Sequence, residues 1–227
     1  MSLLQLKDRP IRRDIVKLYD DRLFIIACDD TYAPKQYFDF FKIPRIHFFV
    51  IPTTDGTSAA KHVLERLLQF NDLEEYDERW LVLDVDHCAK GSHLASFQSA
   101  LEEAIKNKIN IALSKPCFEL WLALHHAEES QVASLADATE TERFLRATIG
   151  EYNKKNLKEH FFPISLVIEA CQRAERLNTP ILKDLIPQQN TSRVYQLWKA
   201  ITSKAHPSQI PTELRNLIPQ GSADTSA

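Results

Sequence analysis

Apolar residues along this chain come in two rhythms. The short runs in "RLFIIACDD", "RIHFFVIP", "RWLVLDVD" and "INIALS" are nearly continuous, as strands buried on both faces of a sheet require. Between them lie stretches with helical spacing. "PKQYFDFFK" reads as a short helix. "TTDGTSAAKHVLERLLQF" offers a turn, a Thr/Ser cap and a stripe at Val63, Leu64, Leu67 and Leu68. "SHLASFQSALEEAIKNK" repeats the spacing at Leu94, Phe97, Leu101 and Ile105, and "PCFELWLALHHAEE" is a helix opened by Pro116. Strands alternating with amphipathic helices predict an α/β fold, a parallel sheet flanked by helices on both faces.

The pattern changes near residue 130. "ESQVASLADATETE" is polar and acidic, and "FPISLVIEACQRAERLN" and "SRVYQLWKAITSK" continue as amphipathic helices. The expected organisation is an α/β core over residues 1–129, a helical C-terminal section over 130–217 and a disordered tail over 218–227.

Composition narrows the chemistry. With only four glycines in 227 residues, at positions 56, 91, 150 and 221, neither a GxxxxGK[ST] phosphate loop nor a GxGxxG fingerprint can be written. Phosphate would have to be met by cations or helix ends. The formal net charge of -3 gives no global pull towards nucleic acid, so such binding needs a local basic patch. Cys28, Cys88, Cys117 and Cys171 form no CxxC pair, and most lie in apolar segments, which suits reduced, buried thiols. The charged N-terminus does not read as a signal peptide, and no stretch reaches transmembrane length. The expectation is a cytoplasmic protein with no membrane partner.

The informative feature is what the strands end in. In "WLVLDVDHC", Leu81, Leu83 and Val85 share one strand face, and Val82, Asp84 and Asp86 the other. The first run ends in Asp29-Asp30. Ligand crevices of open parallel sheets lie beyond the carboxyl ends of strands. If the first and third strands are neighbours, three or four carboxylates converge on one rim. Crowded like charges call for a cation, and all-oxygen donors suit Mg²⁺ or Mn²⁺. Helix caps or solvated loops would use the same residue types. His87, Cys88 and His93 follow, but their spacing matches no standard zinc pattern.

"SKPCFELWLALHH" is the second informative stretch. Lys115 supplies a cation at a strand end. Phe118, Trp121, Leu122 and His125 fall on one helical stripe, with Glu119 in the first turn. His125 reads either as a packed core histidine or as a catalytic group, and Glu119 as a dipole partner, a further metal ligand or a base. Lys154, Lys155 and Lys158, with Tyr152 beside them, form either a solvated face or a track for a nucleic-acid backbone.

Together, "FIIACDD…QYF", "WLVLDVDH" and "IALSKPCFELWLALHH" resemble the RloB-like family, companions of ABC-type ATPases in bacterial restriction and abortive-infection loci. "YNKKN" and "QQNTSRVYQLW" are weaker echoes of its C-terminal part. The resemblance implies a Toprim-like sheet with a Mg²⁺ site. Asp84 and Asp86 match its DxD, and Ser114, Pro116, Phe118, Glu119, Trp121 and His125 match its third motif. Asp29 stands where the family usually has Glu, Asp30 where it has Gly, and Thr31 and Tyr32 where it has charged residues. Asp29 is one methylene shorter than Glu, which draws its carboxylate back.

Three functions remain open on these residues. The first is a Mg²⁺- or Mn²⁺-dependent nuclease in antiphage defence, acting on RNA (tRNA included) or DNA with an ABC-type ATPase partner. There Asp29, Asp84 and Asp86 are metal ligands, Glu119, Lys115 and His125 catalytic groups, and Lys154, Lys155 and Lys158 the nucleic-acid track. The second is a catalytically degraded Toprim-like binding or regulatory subunit of a defence complex. The third is a small-molecule phosphotransfer enzyme of flavodoxin-like topology.

Overall fold

The computed structural model describes residues 22–54, 56–71, 77–86, 93–178, 185–205, 208 and 210–217. The N-terminal segment, His87, Cys88 and the tail expected to be disordered lie outside the described residues.

The chain folds as an α/β sandwich around a five-stranded sheet in the order β2-β1-β3-β4-β5. The strands are β1 (Arg22–Cys28), β2 (Ile46–Ile51), β3 (Glu78–Asp84), β4 (Asn110–Lys115) and β5 (Thr191–Ser192). The first four are parallel, as the continuous apolar runs predict, and β5 joins antiparallel at the edge. β1 lies between β2 and β3, so the path out of β1 and the path into β3 diverge there. That divergence is a topological switch point, where open α/β sheets form their crevice.

Alternation sorts the strand residues onto two faces. Ile25, Ala27, Leu81, Leu83 and Val85 pack under α2 (Ala60–Leu68) and α3 (His93–Lys106). Phe24, Ile26, Cys28, Trp80 and Val82 face the larger core. That core is closed by α1 (Ala33–Asp39), α4 (Phe118–Ala123), α7 (Ile164–Leu177) and α8 (Val194–Lys204). Its centre is aromatic: Tyr37 meets Phe38, Phe118, Trp121, Phe162 and Trp198 edge-on. Edge-to-face rings add about 0.5–1.5 kcal/mol per pair beyond their burial. The helical section also supplies α5 (Glu129–Val132) and α6 (Ala138–Ile149), so residues beyond 130 cover a sheet face and complete its edge.

Three local expectations are corrected. Helix α2 is entered at Ala59 with no side-chain cap, so the Thr/Ser cap is not made. On α3 the buried line is Phe97, Ala100, Leu101 and Ala104, and Ile105 is exposed. Small residues let that helix lie close to the sheet, which turns the stripe by one position. Pro116 follows a cis peptide bond and stands outside α4, which begins at Phe118.

Candidate functional site

Because β1 pairs with β3 and sets Cys28 opposite Val82, the acids that follow the two strands meet. Asp29 Oδ2 accepts the backbone N–H of Asp84 at 2.9 Å. β4 lies on the other side of β3, with Ser114 opposite Asp84, and the chain turns into α4, whose first turn carries Glu119. Asp30, Asp84 and Glu119 are each more than nine-tenths buried.

The carboxylates are held differently. Asp30 Oδ1 accepts the N–H groups of Tyr32 and Ala33, at 2.6 and 3.1 Å, and so holds the turn that leads into α1. Glu119 Oε1 accepts the Tyr152 hydroxyl at 2.8 Å. Lys154 reaches between them, with Nζ 2.6 Å from Asp30 Oδ2 and 3.2 Å from Glu119 Oε1. The loop carrying Lys154 is sewn to α1 by one side chain: Gln36 donates to the Lys154 carbonyl and accepts from the Leu157 N–H, both at 2.9 Å. No hydrogen bond reaches the carboxylate of Asp84 among the described residues.

Electrostatics follow from this crowding. Burial pushes the Asp29 carboxyl up to about 7; the Asp84 N–H bond opposes the shift and the charge of Asp30 adds to it. Asp84 is raised well above the carboxylate range by burial, then by Asp29 and Glu119. Burial would raise Glu119 too, but the Lys154 ammonium and the Tyr152 hydroxyl outweigh it and hold Glu119 below its ordinary value. Burial works against the charge on Lys154, yet Glu119 and Asp30 keep it firmly protonated. One ammonium thus serves a group of carboxylates: it keeps Glu119 ionised, while burial and crowding push Asp29 and Asp84 towards the protonated form.

The remaining candidates are spread more widely. Asp86 turns to the start of α6, where Oδ2 accepts the Ala138 N–H at 3.3 Å. Lys115 donates to the Gln188 carbonyl in the segment before β5. His125 is buried in the aromatic core. Its Nδ1 donates to the Trp121 carbonyl at 3.0 Å, which leaves Nε2 to accept the Tyr37 hydroxyl at 3.1 Å. Burial lowers its pKa to about 3, so the ring is neutral across the physiological range. Lys155 lies over the exposed Tyr32 ring, 5.5 Å from its centroid, and Lys158 borders a cavity beyond the loop. Of the three lysines assigned to a backbone track, Lys154 is the one drawn into the acids.

No group of three or more Asp, Glu, His or Cys side chains is arranged to hold a metal ion among the described residues. The donors nevertheless suit a hard divalent cation in kind and in charge. Asp84 offers a buried carboxylate that no hydrogen bond reaches among the described residues, and Asp29 and Glu119 add oxygen donors beside it.

A model of the RloB-like protein family matches residues 24–201. The chain belongs to the RloB-like family. The match begins in β1 and runs into α8, so it spans the acid cluster, the Lys154 loop and the helices that close the aromatic core. No curated protein and no solved structure matches the chain. No helix among the described residues is long and apolar enough to cross a membrane.

Sequence reasoning quoted Gln36 within its first motif without giving it a role, and it did not join Tyr152 and Lys154 to Glu119. Their positions are separated by more than thirty residues along the chain, so no local spacing links them. A Tyr and Lys two positions apart in a polar loop is the only signal the sequence carries.

Proposed function

We propose that this RloB-like protein is a Mg²⁺- or Mn²⁺-dependent nuclease with a Toprim-like site. In this reading it acts on RNA or DNA in abortive-infection defence, alongside an ABC-type ATPase. The observation that carries the reading is the Asp84 carboxylate. It is buried at the switch point, beside Asp29 and Glu119, and no hydrogen bond reaches it among the described residues. A buried carboxylate in that state takes up either a proton or a cation.

Asp29, Asp84 and Glu119 are the residues that would hold the ion. Once bound, it would supply Lewis acidity and charge neutralisation to a phosphodiester. The chain's own groups do the rest. Tyr152 and Asp30 orient Glu119 and Lys154 through the contacts above, and the Lys154 ammonium supplies positive charge for an incoming phosphate. Phe118, next to Glu119 in the chain, packs edge-on against Tyr37 in the aromatic core and so fixes the start of α4. Asp86 anchors α6, and His125, neutral and core-bound, maintains the packing of α4 against α1.

The deciding experiment is cleavage of single- and double-stranded RNA and DNA with Mg²⁺ or Mn²⁺, with and without an ABC-type ATPase of the proposed kind. The wild type is compared with Asp84→Ala. Cation-dependent cleavage that the variant loses is the expected result. A second reading, a non-catalytic subunit, is favoured by one observation: Asp30 and Glu119 are already paired with Lys154, a clasp that needs no metal. Absence of cleavage under every condition, with or without the ATPase, would select that reading.

A further inference from the structure

The loop after α6 has a second side. Tyr152 and Lys154 turn towards the acids, but Glu151, Asn153, Asn156 and Lys158 line a cavity of about 300 Å³ with Tyr152 and Phe161. We propose that this cavity receives one nucleotide of a single-stranded nucleic acid. The proposal rests on the nucleic-acid reading above and extends it to a site apart from the carboxylates.

Size and chemistry set the occupant. A cavity of about 300 Å³ lies at the small end of ligand pockets, suited to one nucleotide and too small for a duplex. Tyr152, itself mostly buried, and Phe161 are among its lining residues, and aromatic side chains are what unpaired bases stack on. Asn153 uses its Oδ1 on the Lys155 N–H at 2.9 Å, which leaves its amide nitrogen as a donor. The side chains of Asn156 and Lys158 make no hydrogen bond or ion pair among the described residues. Amides read base edges and an ammonium meets phosphate, while Glu151 excludes a bare anion and can accept from a base amino group.

The cavity is also preformed. Gly150 ends α6 with φ of 79°, a left-handed conformation that turns the chain sharply into the loop. Gln36 then clamps the loop from α1, and the Asn156 N–H closes onto the Asn153 carbonyl at 2.9 Å. A held loop gives up little entropy on binding. Tyr152 joins the two places. The residue lines the cavity and its hydroxyl donates to Glu119, so the cavity stands one side chain away from the acid cluster.

The test is made with the full chain in EDTA, where no metal-dependent chemistry runs. Binding of a fluorescent single-stranded oligonucleotide is measured by anisotropy, alongside its duplex and calorimetry with free nucleoside monophosphates. Single strands should bind saturably and more tightly than duplex. Asn156→Ala and Lys158→Met should each weaken that binding about tenfold, as loss of one good polar contact does, with Tm unchanged. Full-strength binding by both variants would overturn the proposal. So would binding confined to free mononucleotides, or preference for duplex. Failure of the nuclease reading is separable: Asp84→Ala should keep this binding whether or not the wild type cleaves. Conversely, cleavage by a wild type whose binding ignores Asn156 and Lys158 would leave the nuclease and remove the cavity.

Discussion

Replacing Lys154 by Met tests how the acid cluster is neutralised. The change keeps most of the side chain's length and removes its charge. Asp30 and Glu119, each with a side chain only 3% exposed, would then lose the ammonium that stands 2.6 and 3.2 Å away. Breaking a fully buried pair costs about 3–5 kcal/mol, whereas an exposed pair is worth about 0–1. Lys154 is 39% exposed, so solvent screens part of the loss, and a cost of about 1–3 kcal/mol follows. For a chain of this size that lowers Tm by several degrees. The effect has a pH signature. Without Lys154 the main influence holding Glu119 below its ordinary value is lost, so the penalty is small where that acid is protonated and grows as pH increases. Urea denaturation in EDTA at pH 5 and pH 8 should therefore show the larger destabilisation at pH 8. Lys154→Arg should largely restore it. Millimolar Mn²⁺ should stabilise Lys154→Met more than the wild type, because a divalent cation can replace the missing charge. Equal destabilisation at the two pH values would mean that Lys154 acts by packing. Wild-type stability at pH 8 would refute the electrostatic account altogether.

Further expectations follow from the same geometry. Asp29, with its pKa raised to about 7, favours the folded state when protonated; in EDTA its contribution is present below the unfolded value near 4 and is lost as pH rises towards 7. Asp29→Asn keeps an oxygen for the Asp84 N–H, so it should stabilise the protein at pH 8 and change little at pH 4, as denaturation midpoints will show. His125 has the opposite sign: its lowered pKa costs stability as pH falls below about 6.5, where the unfolded ring gains a proton that the buried one refuses. In the Asp29→Asn background, acidification from pH 6.5 to 4.5 should expose this slope, and replacing His125 by Gln should flatten it. Asp86→Asn retains an acceptor for the Ala138 N–H, so Tm and cleavage should both persist. Lost cleavage at unchanged Tm would return Asp86 to the ligands.

The hydrophobic pattern alone determined the α/β class and the four parallel strands, because strands buried on both faces must be apolar throughout; that the acids at their ends converge depended on β1 lying beside β3, which the tertiary structure decided. The family could likewise be recognised from local motifs such as "SKPCFELWLALHH". The two-residue β5 was invisible, since so short a strand carries no period and forms only because β4 offers an open edge. Side-chain assignments separated according to how far along the chain their partners lie. Asp84 and Asp86 are the same residue type on the same predicted face, yet β3 ends at Asp84; the chain then turns Asp86 to the start of α6 and leaves Asp84 against Asp29. Lys154, Lys155 and Lys158 looked like one basic run. Folding sent the first into the acids, the second over Tyr32 and the third to the cavity, because an irregular loop has no period to hold its side chains on one face. Periodicity and motif are local properties and survive in the sequence, but the electrostatics of this site depend on which distant charges are brought within a few ångströms. Only the packed chain decides that.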